Sequence, residues 1–223
     1  YTDQIEQFSI DEAFMDMTGC TEDPAGTAEK LREQVERELG FTVNIGVSSS
    51  RLLAKMASDF KKPNRVHTLW PGEIGEKMWE LPVRDLFYVG HASERKLKNL
   101  GICTIGQLAR TPDAVLYAHM KSHGLLIKDY ANGIDESPVV TSPPPNKGYG
   151  NSLTTPRDVT DRGLAKLYLL SLAETVSARL RADGAMIRVV EVSIRDYDLR
   201  FFHHQRTMAT PTDLTMEIYG EAC

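Results

Sequence analysis

Residues 4–18 read QIEQFSIDEAFMDMT. Short β-prone pieces, Ile5 to Ile10 and Ala13 to Met17, flank the acidic pair Asp11-Glu12, a pattern that predicts two strands meeting at a tight turn. Asp3, Glu6 and Asp16 lie nearby, and no Lys or Arg occurs in the first 24 residues. Two carboxylates ~4 Å apart repel by roughly 1 kcal/mol in water and by several times that where partly buried, so the pair needs a cation beside it. Oxygen ligands without His or Cys select hard ions, and Mg²⁺ is commonly held by one or two carboxylates together with phosphate and water. The competing reading is an exposed acidic hairpin, because Asp and Glu are frequent at turns.

Outward from this stretch, strands and helices mix. Ala28, Leu31, Val35 and Leu39 fall at helical spacing between Pro24 and Gly40, predicting a helix over 25–39. Thr42 to Val47 reads as a strand, Ser50 to Phe60 as a helix capped by its serine, and Val66 to Trp70 as a further short strand. This is an α+β layer. From Pro71 to Gly133 nothing alternates with period two, and several short helices fit between Pro82, Gly90, Gly101, Pro112 and Gly124. That segment reads as a small all-helical domain. Residues 134–150 carry four prolines with glycine and serine, as a linker does. Beyond it, Asp161 to Asp183 places Leu164, Leu167, Leu170, Ala173, Val176 and Leu180 on one side of a long helix. Two strands follow, one with alternating Val190, Val192 and Ile194, the other over Arg200 to Met208. A last helix over Thr212 to Cys223, capped by Thr212 or Asp213 and cut off in mid-pattern, is expected to leave this second α+β unit incomplete at its C-terminus.

The chain has 223 residues, 41% hydrophobic and 26% charged, and no stretch approaches the ~18 uninterrupted apolar residues of a membrane span. Cys20, Cys103 and Cys223 lie far apart with no C-x-x-C pair, which suits free thiols in a reducing compartment. The first residues lack the basic and apolar regions of a signal peptide, so a cytoplasmic location is expected. The net charge of −5 argues at first sight against a nucleic-acid partner. It is unevenly spread, however. Residues 1–40 hold eleven acidic and three basic residues, a balance of −8, which leaves +3 for the remainder. Residues 51–67 hold five basic residues against Asp59 alone, and residues 86–110 hold four against Glu94 alone. Taken singly, either run reads as a solvated face.

Three ordered motifs change that reading. Ser9-Ile10-Asp11-Glu12-Ala13 closely resembles the S-I-D-E-A signature of the Y-family, or translesion, DNA polymerases, with the DNA polymerase IV branch nearest in pattern. In that family the adjacent Asp and Glu sit on a palm hairpin and hold two catalytic Mg²⁺ ions. The resemblance implies that Asp11 bridges the metals and that Glu12 serves the ion activating the primer 3′-hydroxyl. Residues 46–64, GVSSSRLLAKMASDFKKPN, resemble the second palm signature, so Lys62 is expected on the triphosphate of the incoming nucleotide, with Lys55 on the helix behind it as a second nucleotide-binding residue and Asp59 beside that. Lysine is a compact charge suited to phosphate, and Pro63 stiffens its loop. Arg65 stands where the family often has glycine, and Arg51 is expected as a solvated charge at the helix start.

Residues 81–108 resemble the thumb helix-hairpin-helix, whose turn offers backbone N–H groups to a DNA phosphate. Gly90 keeps the first hairpin glycine and Ala92 replaces the second, while Arg95, Lys96 and Lys98 follow on the helix. Residues 147–158 and 201–207 resemble the first and third strands of the little finger domain, making Lys147 and Arg206 candidate DNA contacts together with Arg157, Arg195 and Arg200. Adjacent His203 and His204 point to opposite faces of a strand and make a poor metal pair.

The resemblance therefore implies an α+β chain: a partial ferredoxin-like palm over 1–70, a helical thumb over 71–136, a linker over 137–146 and a little finger over 147–223. It implies a template-directed DNA polymerase that uses two Mg²⁺ ions to join dNTPs to a primer on primer-template DNA and works as a monomer. The family's third carboxylate, fingers and ribonucleotide-excluding aromatic would precede Tyr1, and the sliding-clamp contact would follow Cys223; alone, the fragment is expected to bind DNA weakly without polymerising. The alternatives are a non-catalytic DNA-binding relative, which tends to lose the paired carboxylates, and a nucleotide cyclase, which would want glycines where Ser9 and Ile10 stand.

Overall fold

The structure is a computed structural model that describes residues 1–142 and 144–223. Pro143, inside the expected linker, lies outside the described residues. The chain divides into two compact units, residues 1–143 and 144–223, and its class is α+β.

In the first unit β1 (Ile5–Gln7) and β2 (Ala13–Met15) pair antiparallel, with Glu6 opposite Phe14. Both Phe8 and Ser9 donate backbone N–H groups to the Glu12 carbonyl, which closes the expected tight turn and leaves Ile10 at its tip, 96% exposed. Helix α1 (Pro24–Leu39) starts where the Asp23 carboxylate accepts from the Gly26 amide at 2.9 Å. Strand β3 (Ile45–Val47) is shorter than expected and pairs in parallel with β4 (Val66–Thr68). Between them α2 (Arg51–Ser58) is capped by Ser50, as its sequence predicts.

Gly46 explains how closely these elements pack. A Cβ there would sit 1.8 Å from the carbonyl oxygen of Ala54 and 2.6 Å from the Ser58 amide, so only glycine lets α2 lie on β3. The buried face of α2, Leu52, Leu53, Met56 and Ala57, joins Leu69, Ile74, Met78, Leu97, Ile105, Leu108, Leu116 and Ile127 in one core. That core runs across position 70/71, although every helix or strand from there to residue 142 is helical: α3 (Ile74–Lys77), α4 (His91–Asn99), α5 (Ile105–Arg110) and α6 (Asp113–Ala131). Gly124 does not separate helices, as its sequence context suggests. It is buried within α6, where a Cβ would meet the Leu116 carbonyl oxygen at 2.8 Å, and the break in α6 falls at Lys121 (φ 56°).

In the second unit α7 (Arg162–Ala182) is capped by Asp161, whose carboxylate accepts from the Leu164 amide at 2.7 Å. Ala173, Leu180, Val190 and Ile218 form its small core with β5 (Ile187–Arg195), β6 (Phe201–Thr212) and α8 (Thr215–Ala222). Three expectations need correction here. Leu164 and Leu167 of the predicted apolar stripe are exposed, Leu167 at 63%, because the core reaches only the C-terminal half of α7. Residues 147–158 form no strand; Tyr149 and Asn146 instead bond Asp183, and Arg179 bonds the Gly150 carbonyl, tying the segment to the end of α7. Finally, α8 begins after Leu214 without a side-chain cap, Thr212 being buried as it accepts from the Leu214 amide.

Candidate catalytic hairpin and its basic surroundings

The β1–β2 turn presents Asp11 and Glu12 side by side. Ser9 orders the turn: its hydroxyl donates to Asp11 Oδ1 at 2.7 Å and accepts from the Asp11 amide at 3.3 Å. Asp16 does not join the pair, because its carboxylate accepts from the Thr18 hydroxyl and amide, which holds its pKa below the ordinary value. The pair is not without protein cations, contrary to the expectation from the first 24 residues. Lys55 Nζ lies 2.7 Å from Glu12 Oε1 and 2.7 Å from Asp59 Oδ2, and Lys62 Nζ lies 2.8 Å from Asp59 Oδ1. Glu12, Lys55, Asp59 and Lys62 thus form one alternating chain of charge.

That chain decides the ionisation of its inner members. Burial opposes the charge on Lys55, yet the hydrogen bonds to Asp59 and Glu12 outweigh it and hold the ammonium above its ordinary pKa. For Asp59 burial again disfavours the charge, and the bonds from Lys55 and Lys62 reverse it, holding the carboxyl below its ordinary value. Lys62 opens the basic loop. Its peptide to Pro63 is cis, Asn64 adopts φ 56°, and the Asn64 side chain is held by Arg32 at 3.0 Å and Glu36 at 2.9 Å, which fastens the loop to α1.

Arg51 is also misjudged as a solvated charge. Its Nη2 meets Glu6 Oε1 at 2.6 Å, its Nη1 donates to Ser137 Oγ at 3.1 Å, and its guanidinium lies 4.7 Å from the Phe14 ring centroid. Glu6 Oε2 accepts from the Val140 amide at 2.7 Å, and Asp135 accepts from the Leu52 amide at 3.1 Å. Residues 135–140 therefore strap hairpin to helix. Phe8 continues the contact through Phe87, Tyr88 and Tyr130. Nothing local marks Glu6 or Arg51 in the sequence as partners.

Asp11 and Glu12 suit a hard divalent ion in donor type and exposure. Among the described residues no three His, Cys, Asp or Glu side chains gather as ligands, so the pair would depend on substrate phosphate and water to complete a coordination sphere. A cavity of about 410 Å³, lined by Gly26, Glu29, Phe60, His67, Thr68 and Lys77 among others, includes no hairpin residue.

Gly90 starts α4 with no side-chain cap and with φ −82°, so its backbone does not demand glycine. Ala92, Arg95 and Lys96 are exposed on this helix, whereas Lys98 pairs with Glu94 at 2.8 Å. In the second unit Lys147 is exposed on the segment bound to α7. Arg206 lies on the helix-covered face, opposite Val190, and meets Glu221 at 3.1 Å.

The chain matches three models of one family in order: the impB/mucB/samB family over residues 1–59, the IMS family HHH motif over 71–102 and the impB/mucB/samB family C-terminal domain over 146–223. The chain belongs to the impB/mucB/samB family. It is 41% identical over 220 residues to DNA polymerase IV of Clostridium acetobutylicum, covering 98% of this chain and 56% of the relative. It is 38% identical over 227 residues to DNA polymerase IV of Acetivibrio thermocellus, covering 100% and 57%. The chain thus spans about half the length of the curated relatives it matches. A solved Y-family DNA polymerase chimera, 23% identical, superposes with a TM-score of 0.82 over 97% of this chain and 62% of its own. The fold of this impB/mucB/samB member is that of a Y-family polymerase. Among the described residues no helix is long and apolar enough to cross a membrane.

Proposed function

We propose that the protein is a template-directed DNA polymerase of the translesion type, transferring nucleotides from dNTPs to a primer 3′-hydroxyl on primer-template DNA. The observation that carries this is the adjacent Asp11-Glu12 pair on an ordered hairpin turn, Asp11 exposed and Glu12 half-buried, with Lys55 and Lys62 beside it in one charge chain. The family relationship and the polymerase IV relatives support the same reading.

In this reading residues 1–70 are palm, 71–136 thumb, 137–146 linker and 147–223 little finger. Asp11 and Glu12 would hold two Mg²⁺ ions, which would lower the pKa of the attacking hydroxyl and steady the leaving pyrophosphate. Lys62, more exposed than Lys55, swings from Asp59 to the triphosphate, and Lys55 keeps the hairpin and α2 in register. The uncapped start of α4, at Gly90 and Ala92, offers N–H groups to a DNA phosphate, with Arg95 and Lys96 adding sequence-independent attraction. Lys147 and Arg206 contribute further backbone contacts, Arg206 after leaving Glu221. A sliding-clamp contact, monomeric action and a cytoplasmic location belong to the proposal on the strength of the family resemblance.

Primer extension by the full-length protein tests it. Asp11→Ala and Glu12→Ala should each abolish extension while leaving DNA binding; full activity in both overturns the site assignment. Salt-sensitive DNA binding without extension by the wild type would instead identify a non-catalytic relative.

A further inference from the structure

We propose that Lys55 is a resident counter-ion of the acidic hairpin: it pairs with Glu12, competes with a divalent cation for that carboxylate, and falls back on Asp59 when the cation binds. This rests on the reading of Asp11 and Glu12 as metal ligands and adds a positioning residue that sets how tightly they bind.

The geometry is one ammonium shared between two carboxylates at equal distances of 2.7 Å. The two partners differ in origin. Asp59 follows Lys55 by four positions, at the C-terminal end of its own helix, so that contact persists through small movements of the hairpin. Glu12 comes from another element and can part from Lys55 without disturbing α2. The Lys55 side chain is only 15% exposed, against 38% for Glu12 and 41% for Asp59, so its ammonium is confined to these two acceptors. Lys62 occupies the second oxygen of Asp59 at 2.8 Å and thereby weakens the pull of Asp59 on Lys55. Release of Lys62 toward an anion would strengthen that pull and draw Lys55 from Glu12. Asp11 differs from Glu12, since its Oδ1 accepts from the neutral Ser9 hydroxyl. One ligand of the pair is open to a cation and the other is contested.

Opposite signs distinguish this role from a structural one. Neutralising Lys55 removes the competitor, while neutralising Asp59 leaves Lys55 to Glu12 alone. A merely structural ion pair would respond in the same direction to both changes.

The experiment measures Mn²⁺ binding to the full-length protein by electron paramagnetic resonance, without DNA or nucleotide, with circular dichroism to verify folding. Asp11→Asn and Glu12→Gln should lose the site. Lys55→Gln should bind Mn²⁺ roughly tenfold tighter, the factor expected from removing one unit charge about 6 Å from a divalent ion at the dielectric of bulk water. Lys55→Arg should stay near wild type and Asp59→Asn should bind more weakly. Unchanged or weaker binding by folded Lys55→Gln overturns the counter-ion role while loss in Asp11→Asn upholds the site. Should Lys55→Gln not fold, Asp59→Asn decides: weaker binding supports the proposal, and equal or tighter binding overturns it. Wild-type binding equal to that of Asp11→Asn and Glu12→Gln overturns the metal reading itself.

Discussion

Replacing Arg51 with Met keeps an apolar stem but deletes the guanidinium that joins hairpin, helix and strap. Arg51 and Glu6 side chains are 18% and 15% exposed, so their 2.6 Å pair lies between the surface and the interior. Removing one partner of a buried pair costs ~3–5 kcal/mol and losing an exposed pair ~0–1, which brackets this site. Stacking on Phe14 adds about 0.5–1 kcal/mol. The Arg51 Nε is buried without a partner, which takes back about 1 kcal/mol in the wild type. We expect a net local loss of ~2–3 kcal/mol. Because the chain has two units, a single global unfolding curve is the wrong assay, and native-state hydrogen exchange is the right one. The Val140 amide, which donates to Glu6 Oε2, and the Phe8 and Ser9 amides of the turn should lose protection together, while amides of α7 stay unchanged. Glu6→Gln combined with Arg51→Met should show a coupling of about 1–2 kcal/mol. Additivity of the two changes, or a Val140 amide protected within ~0.5 kcal/mol of wild type, would refute the strap.

Gly46→Ala should destabilise the first unit by about 3 kcal/mol or more, read by native-state hydrogen exchange of the α2 amides, because the new methyl meets the Ala54 carbonyl oxygen and Ser58 amide rather than movable side-chain ends. Glu73 has a pKa held below its ordinary value of 4.5, first by the Lys77 hydrogen bond and then by the Trp70 amide. A depressed carboxylate stabilises above its unfolded pKa and loses that contribution as pH falls through the folded value. The gap in stability of the first unit between wild type and Glu73→Gln, read by native-state hydrogen exchange, should therefore be constant above about pH 5.5 and close as pH falls through the lowered folded value; a gap independent of pH refutes it. On the proposed DNA surface, Arg95→Ala with Lys96→Ala should weaken duplex binding and reduce the slope of log affinity against log salt by about 1–2, measured by fluorescence anisotropy.

What was legible in the sequence is what is local. The hairpin follows from β-prone pieces around an acidic turn, and the starts of α1, α2 and α7 follow from Pro24, Ser50 and Asp161. Where a neighbour decides, the sequence pattern misleads. Gly124 looks like a helix stop because glycine commonly is one, yet the close approach of Leu116 explains it. Leu164 and Leu167 keep the helical period, but period cannot say how far along α7 the sheet reaches. Thr212 has the right chemistry for a cap, and its burial beside Leu214 leaves α8 uncapped.

The same distinction between local and distant partners changes the electrostatic argument for a metal. With no Lys or Arg before residue 25, the seven carboxylates of that stretch require a cation from elsewhere. The fold provides two from the +3 remainder: Arg51, 45 positions from Glu6, and Lys55, 43 positions from Glu12. Charge imbalance therefore no longer demands a metal on its own. What persists is an asymmetry within the pair. Among the described residues, Glu6 is occupied by a guanidinium and a backbone amide, Glu12 shares an ammonium with Asp59, and Asp11 receives only hydrogen bonding from Ser9. A divalent ion attracted to this hairpin gains most at Asp11 and must compete at Glu12, so metal affinity depends on Lys55 and Asp59 as much as on the two carboxylates themselves.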